Sequence, residues 1–372
     1  MAKKKIVFAS NTSFSLYNFR FGLMKKLKEL GYEVISAAPE DEYTEYIKRE
    51  FPFYPIKHLD RKGKNPIKDL KLFLEFLNLY RKIKPNLVIN FTIKPNIYSS
   101  LACKVLDISS ISVITGLGYV FVKGGFLEKL VRILYKVSFK SNKFVIVLNP
   151  YDLNIISSLT NQSKIILIEG EGVNTGYFSP EFCKETKNFK KTVFLFIGRF
   201  LRDKGLIELI KAAKELWEER KDFEVWLLGS VDSGNPQSLK EEEIGSLKKL
   251  EFLKILPFTK DVRPVICQAD CIVLPSYYRE GIPRSLLEAM SMERPIITTN
   301  SPGCRDVCQD GLNGFLVEPK SVKDLKLAME RFLNLSFQDR EKMGKKGREI
   351  VLRYFDEKLV IEKYLNLISK IV

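Results

Sequence analysis

The chain has 372 residues, with 61 Lys and Arg against 45 Asp and Glu for a formal net charge of +16. That length exceeds what one ordinary core fills, so two domains are expected. No stretch approaches the ~20 apolar residues of a membrane span, and six cysteines over this length read as reduced thiols of a cytosolic protein, not as a disulfide framework.

The start, Met1-Ala2-Lys3-Lys4-Lys5-Ile6-Val7-Phe8, enters a strand directly, with no signal-peptide hydrophobic region. Candidate strands follow at Lys5–Ser10, Glu33–Ala37, Leu87–Asn90, Ile111–Thr115, Phe144–Leu148 and Lys164–Ile168, with amphipathic stretches between most of them. Around Gly172–Lys191, Gly, Pro and charge replace periodic hydrophobicity, which marks a join. A second series follows at Thr192–Ile197, Glu224–Leu228, Phe252–Leu256, Cys271–Leu274, Pro295–Thr298 and Gly314–Val317. Strands separated by helices imply parallel sheets covered on both faces, hence an α/β protein of two doubly wound domains facing across a cleft. No GxGxxG fingerprint follows the first strand, which weakens a dinucleotide-redox reading. Cys267 and Cys271 share a spacing with Cys304 and Cys308, but four convergent ligands at zinc spacing are not apparent, so no metal site is expected.

Charge is unevenly placed. The first 180 residues hold 27 Lys and Arg against 15 Asp and Glu, and the rest hold 34 against 30. The segment from Lys123 to Lys140 sets Phe126, Leu127, Leu130, Ile133, Leu134 and Val137 against a cationic face, as an interfacial helix requires. The same pattern also describes a helix that covers its own sheet while its lysines stay wet. A basic chain invites a nucleic-acid reading, but no recognition motif or aromatic–basic platform is present, and nucleic acid is not the expected partner.

Two constellations carry chemistry. In Phe196-Ile197-Gly198-Arg199-Phe200-Leu201-Arg202-Asp203-Lys204-Gly205 a strand runs into a glycine, and two cations five residues apart precede a helix. Arg offers a planar fork to phosphate oxygens and Lys a point charge, so the pair can clamp a diphosphate. In Tyr278-Arg279-Glu280-Gly281-Ile282-Pro283-Arg284-Ser285-Leu286-Leu287-Glu288-Ala289-Met290 two carboxylates lie across a loop-to-helix junction, with Pro283 suited to the first helical turn. The strand before it places Glu280 at a carboxyl end, where open α/β sheets bind ligands. The N–H groups near Ser285 and Leu286 suit an anion. Glutamates at helix starts are ordinary; it is the pair of constellations together that describes a nucleotide-sugar pocket.

Gly-Arg-x4-Lys-Gly, followed about eighty residues later by Glu-Gly-x-Pro-x-Ser-Leu-Leu-Glu-Ala-Met, resembles the retaining family 4 glycosyltransferases of GT-B fold. The likeness runs on through Arg294–Thr299, Pro302–Arg305 and Asp310–Val317. In the first half, Phe91-Thr92-Ile93-Lys94-Pro95-Asn96 and Ile114-Thr115-Gly116-Leu117-Gly118 look like the branch that extends polyprenyl-diphosphate-linked saccharides, which includes GalNAc, O-antigen and capsule transferases.

The resemblance implies an acceptor-binding domain over residues 1–172 and a nucleotide-sugar-binding domain over 173–356, with the last helix, roughly 357–371, packing back on the first. Arg199, Lys204 and Glu280 would be catalytic: the cations neutralise charge on the departing diphosphate, and Glu280 grips the donor sugar. Glu288 would accept from the ribose hydroxyls, with Gly198, Gly281, Ile282, Pro283, Ser285 and Leu286 lining the donor and Phe258 near its uracil. No Asp-x-Asp pair is present, so neither cofactor nor metal is implied. Asn11, Thr12, Ser13, Lys94, Thr115 and Gly116 would face the acceptor. Many family members carry glycines after the first strand and a histidine after the Leu87–Asn90 strand. Here Ser10-Asn11-Thr12-Ser13 and Asn90 with Thr92 stand there, and the sole histidine, His58, lies in a solvated connection. Asn174 and Arg305 read as a linker turn and a loop anchor.

The implied enzyme is a metal-independent, membrane-peripheral cytoplasmic transferase. It would move a UDP-linked N-acetylhexosamine, GalNAc preferred, to a polyprenyl-diphosphate acceptor. Two alternatives of the same fold remain open: a nucleotide-sugar 2-epimerase, and a non-catalytic lipid- or protein-binding subunit.

Overall fold

A computed structural model describes residues 3–60, 63, 65–117, 121, 125–183, 191–232, 234–278 and 281–372. It divides into two compact units, one of Met1–Glu171 with Lys358–Val372 and one of Gly172–Glu357.

The first unit holds a seven-stranded, wholly parallel sheet in the order β3-β2-β1-β4-β5-β6-β7. Its strands are β1 Lys5–Ala9, β2 Glu33–Ala38, β3 Phe53–Pro55, β4 Leu87–Phe91, β5 Ser109–Ile114, β6 Phe144–Val147 and β7 Ile165–Leu167. Strand β3, which hydrophobic pattern does not announce, is three residues long and ends in Pro55. Proline is tolerated there because β3 is an edge strand, pairing only with β2 through Ser36 to Ala38. Alternate residues of β1 serve opposite faces. Ile6 and Phe8 join a core that includes Val360, Tyr364 and Leu367 of the Glu357–Ile368 helix, whereas Val7 and Ala9 join Leu72, Phe76 and Tyr80 of the Pro66–Ile83 helix.

Beneath the latter face runs a fully buried polar chain. Tyr80 Oη meets Ser99 Oγ at 2.6 Å, Ser99 donates to Asn90 Oδ1, Asn90 Nδ2 donates to Ser100 at 3.0 Å, and Ser100 meets Ser112 at 3.2 Å. Asn90 therefore points inward and is satisfied, as a buried amide must be.

The second unit holds a six-stranded parallel sheet in the order β10-β9-β8-β11-β12-β13. Its strands are β8 Thr192–Ile197, β9 Phe223–Leu228, β10 Leu253–Leu256, β11 Cys271–Leu274, β12 Ile296–Thr299 and β13 Gly314–Val317. The near-continuous apolar strands are buried on both faces, as parallel sheets require.

Cys183 and Cys267, 84 positions apart, form a disulfide. This corrects the reading of all six thiols as reduced. The Pro180–Phe182 turn packs on the Arg263–Gln268 helix and brings the two Cα atoms to 5.2 Å, a proximity that linear spacing does not reveal. Arg263 reinforces the junction, its guanidinium 3.6 Å from the ring centre of Tyr177 and 4.1 Å from that of Phe182. The remaining cysteines, 103, 271, 304 and 308, are buried and lie outside that bridge. Among the described residues no helix is long and apolar enough to cross a membrane.

Candidate functional site

In the second unit the strand order reverses between β8 and β11, so their carboxyl ends flank a topological switch point, where open α/β sheets bind ligands. Both sequence constellations emerge there.

After β8, Gly198 N–H donates to Leu228 O at 3.0 Å, Phe200 N–H to Ser230 O at 2.9 Å and Leu239 N–H to Phe200 O at 2.9 Å, so the loop carrying Arg199 is fixed through its backbone. A Cβ on Gly229 would lie 1.9 Å from Gly198 O, which forbids any side chain at that crossing. Arg199 Nη1 reaches Asp232 Oδ2 at 2.8 Å, with 41% of the arginine side chain exposed. Asp232 is the more buried partner, 17% of its side chain being exposed, so the guanidinium is held on one side while its other side reaches solvent.

A short 3-10 turn, Arg202–Lys204, then leads to Gly205, whose φ of +73° is left-handed. A Cβ there would lie 2.0 Å from Pro275 O, just past β11. Glycine is required on both grounds. The same turn is tied to the β11 loop by Asp203 O, which accepts from Tyr277 N at 3.0 Å and Tyr278 N at 2.9 Å. Lys204 Nζ sits 5.8 Å from the Tyr278 ring centre. The two constellations are thus one hydrogen-bonded unit.

Glu280, named from sequence as a sugar ligand, lies outside the described residues, as does Arg279. Around Gly281 a Cβ would meet nothing within 4 Å, and Ile282 packs partly against the core. Pro283 sits one residue before the first helical turn, as the N-cap of the Arg284–Ser291 helix, and no side chain caps that end. Leu286 cannot offer its N–H as expected: the helix opens with a tight turn in which that N–H donates to Pro283 O at 3.1 Å, and the leucine side chain is core. Ser285 is the second residue of that helix.

Glu288 lies one turn inside, its Oε1 accepting from Arg284 Nε at 2.9 Å. Burial holds its carboxyl above the ordinary carboxylate range, with Arg284 pulling in the other direction. Arg284 was missed in sequence, although the i,i+4 spacing is its signal. Phe258, 57% exposed, lines a pocket of about 350 Å³ together with Trp226, Pro257, Val265 and Gln268. Trp226, two residues from the end of β9, gave no sequence signal, because a strand tryptophan reads as core. Among the described residues, no three or more His, Cys, Asp or Glu side chains gather as metal ligands would.

The first unit has its own switch point, between β1 and β4. Thr12 Oγ1 accepts from Ser15 N at 3.1 Å and so caps the Ser13–Phe19 helix. Ser13, proposed to face the acceptor, is fully buried instead. Its hydroxyl donates to Pro39 O at 2.9 Å and meets Thr44 Oγ1 at 3.0 Å, because the helix start is pinned to the β2 loop. Asn11 remains partly exposed.

Lys94 is engaged, its Nζ 2.6 Å from Asp69 Oδ1, while Tyr98 Oη donates to Asp69 Oδ2 at 2.9 Å. Thr92, after β4, takes a φ of +71°, rare for a β-branched residue, with a buried hydroxyl that has no partner. Its strain was not legible in sequence. Thr115 and Gly116 follow β5 and are partly exposed, Gly116 with φ +129°; Gly118 lies outside the described residues. His58 is exposed beside Glu75 at 3.1 Å. Asn174 bonds Glu357 at 2.6 Å and Tyr177 N–H at 2.7 Å, and Arg305 lies 4.0 Å from Asp306.

Two family models match the chain: "Glycosyl transferase 4-like" over residues 5–149 and "Glycosyl transferases group 1" over residues 179–350. The sequence is 28% identical to the N,N'-diacetylbacillosaminyl-diphospho-undecaprenol alpha-1,3-N-acetylgalactosaminyltransferase of Campylobacter jejuni, with 99% of each chain covered. It is 26% identical to the Escherichia coli UDP-Gal:alpha-D-GlcNAc-diphosphoundecaprenol alpha-1,3-galactosyltransferase over 71% of this chain and 70% of that one. Among solved structures, the Anabaena protein HepE in complex with UDP and glucose superposes with a TM-score of 0.82 at 16% identity, covering 98% of this chain and 99% of that one. A glycosyltransferase from Rickettsia africae superposes at 0.81 and 20% identity, covering 100% and 99%. At those identities the structural likeness speaks for the fold, two Rossmann-like domains.

Proposed function

The chain belongs to the group 1, type 4-like glycosyltransferases of GT-B fold, and from that premise we propose that it transfers an N-acetylhexosamine, GalNAc preferred, from a UDP-sugar to a polyprenyl-diphosphate-linked saccharide with retention at the anomeric carbon. One observation carries the reading. The loop carrying Arg199 and Lys204 is bonded through Asp203 O to Tyr277 N–H and Tyr278 N–H at the second unit's switch point, and this supports joining these cations with Ser285 and Glu288 in one anion-and-hydroxyl site.

The departing nucleoside diphosphate gains charge on its β-phosphate as the glycosidic bond breaks. The Arg199 guanidinium, the Lys204 ammonium and the Ser285 N–H stabilise that charge without reorganising, which lowers the barrier more than it strengthens ground-state binding. Because two cations do this work, the proposed transfer needs no divalent metal. Glu288, ionised, accepts from the two ribose hydroxyls while Arg284 holds it in place, and the Phe258 pocket takes the base. Glu280, with Gly281, Ile282 and Pro283, holds the sugar.

In the first unit Asn11, Thr12, Lys94, Thr115 and Gly116 serve the acceptor. Lys94 takes its position from Asp69 and then shares its charge with the acceptor diphosphate. The relatives' names, which specify undecaprenyl-diphosphate sugars, support this acceptor class, and the basic first half supports work at the inner face of a cell membrane.

The test is a thermal-shift panel of nucleotide sugars with chelator present, since a ligand bound to the native state raises its melting temperature. A shift from UDP-sugars, followed by chelator-resistant transfer from the strongest binder to a prenyl-diphosphate saccharide, is expected. A strict metal requirement overturns the cation mechanism. Binding without transfer to any lipid-linked acceptor, with a 2-epimerised sugar released, overturns the transferase reading.

A further inference from the structure

The Phe126–Phe139 helix does not turn inward the face that its sequence suggests. Val131, Tyr135 and Phe139 enter the core, and Phe126, Leu130, Ile133 and Val137 are left exposed, Phe126 at 82%. Lys129, Lys136 and Lys140 are exposed beside them. A second helix, Pro66–Ile83, repeats the arrangement. Leu72, Phe76 and Tyr80 are buried, while Ile67, Leu70 and Leu74 are exposed next to exposed Lys68 and Lys71. Seven of the eighteen large apolar residues exposed among the described ones fall on these two helices, which is clustering and not the ordinary scatter of surface apolar residues. Both helices pack against the Pro95–Ser99 turn and the Ser100–Val105 helix, so they flank one element on one side of the sheet.

We propose that the outer faces of these two helices form one docking surface for an anionic lipid bilayer, which deepens the membrane-side reading proposed above and rests on it. Charge selects the occupant. Apolar stripes bordered by lysines match a surface of acyl chains under anionic headgroups, into which the stripes insert while the ammonium groups stay at headgroup level. Pairing two copies of this face would set lysines against lysines in the most basic part of the chain, which holds 27 Lys and Arg against 15 Asp and Glu in its first 180 residues. The surface would bring the first unit to the plane where a polyprenyl-diphosphate headgroup lies.

The experiment floats the full chain on vesicles of phosphatidylcholine, with and without phosphatidylglycerol. Binding is expected only with the anionic lipid, and to weaken with salt. Lys129→Gln, Lys136→Gln and Lys140→Gln together should lower partitioning about a hundredfold, at roughly fivefold per basic residue. Phe126→Ser with Ile133→Ser, and separately Ile67→Ser with Leu70→Ser, should each release the protein at unchanged melting temperature. These variants should keep their thermal shift with UDP-sugar and their transfer to a short-chain, water-soluble acceptor.

Vesicle binding that ignores all three sets overturns the proposal. Loss from the Phe126 pair but not the Ile67 pair overturns the two-helix surface. A dimer in light scattering that these variants dissolve identifies a second copy as the occupant, and overturns it too. Wild-type protein that floats but transfers to no lipid-linked acceptor sinks the transferase reading alone.

Discussion

The two switch points of this molecule occupy the same place in the same kind of sheet, yet they are finished in opposite ways. Beside β1 the first helix is closed by its own side chain, Thr12, and the next hydroxyl, Ser13, is spent on Pro39 and Thr44. Beside β11 the helix starting at Arg284 has no side-chain cap, and the loop beside β8 passes through Gly198 and Gly205 with Arg199 and Lys204 between them. A helix end that has satisfied its own donors has little to offer an anion, whereas an uncapped one beside two cations is ready for it. Likeness of fold therefore does not make the halves equivalent. On the proposed reading, only the second is built for a nucleoside diphosphate.

The sharpest way to break this comparison is to remove the cations. Lys204→Ala and Arg199→Ala should each lower kcat for transfer by about 10²–10³, the usual effect of deleting one group aimed at developing charge. A rise in KM with kcat unchanged would mean that they bind ground state and transition state alike, and would sink the clamp. Next, Glu288→Ala should weaken UDP-sugar binding about a hundredfold by calorimetry, from the loss of charge-assisted hydrogen bonds. Arg284→Gln should cost less, since it removes the brace and keeps the carboxylate.

The pH profile sharpens the same point. Because burial raises the Glu288 pKa, UDP-sugar affinity should be flat where the carboxylate is ionised and fall as pH drops through that raised value, above the ordinary ~4.3 of glutamate. A profile that Glu288→Gln leaves unchanged would place the ribose elsewhere. The smallest effect belongs to the first switch point. Thr12→Ala should cost about 1 kcal/mol of stability in denaturant melts, as loss of an N-cap does, and leave UDP-sugar affinity intact. A loss of donor affinity there would erase the contrast.

Much of the fold was legible. All twelve candidate strands match observed ones within a residue or two, because a parallel strand buried on both faces is a compact apolar run between helical periods. The Lys164–Ile168 candidate shortened to Ile165–Leu167 and β3 was not announced at all, since short edge strands carry little pattern. Within the candidate site, residues whose task is charge or backbone freedom stood out in sequence: Arg199, Lys204, Gly198 and Glu288. Residues whose part depends on what lies across a gap did not. Asp232, Asp69 and Trp226 carry no motif, and the strain at Thr92 is a property of the fold.

The sequence by itself determined the two parallel sheets, the alternation that builds them and the chemistry available at the second switch point, because periodicity and residue type are local quantities. The tertiary structure alone decided which groups are already engaged. It buried Ser13, gave Lys94 to Asp69 and Leu286 N–H to Pro283, joined Cys183 to Cys267 across 84 positions, and turned the Phe126 stripe outward. Those outcomes depend on which side chains become neighbours in space, and the packing of one sheet against its helices sets that only after the chain has folded.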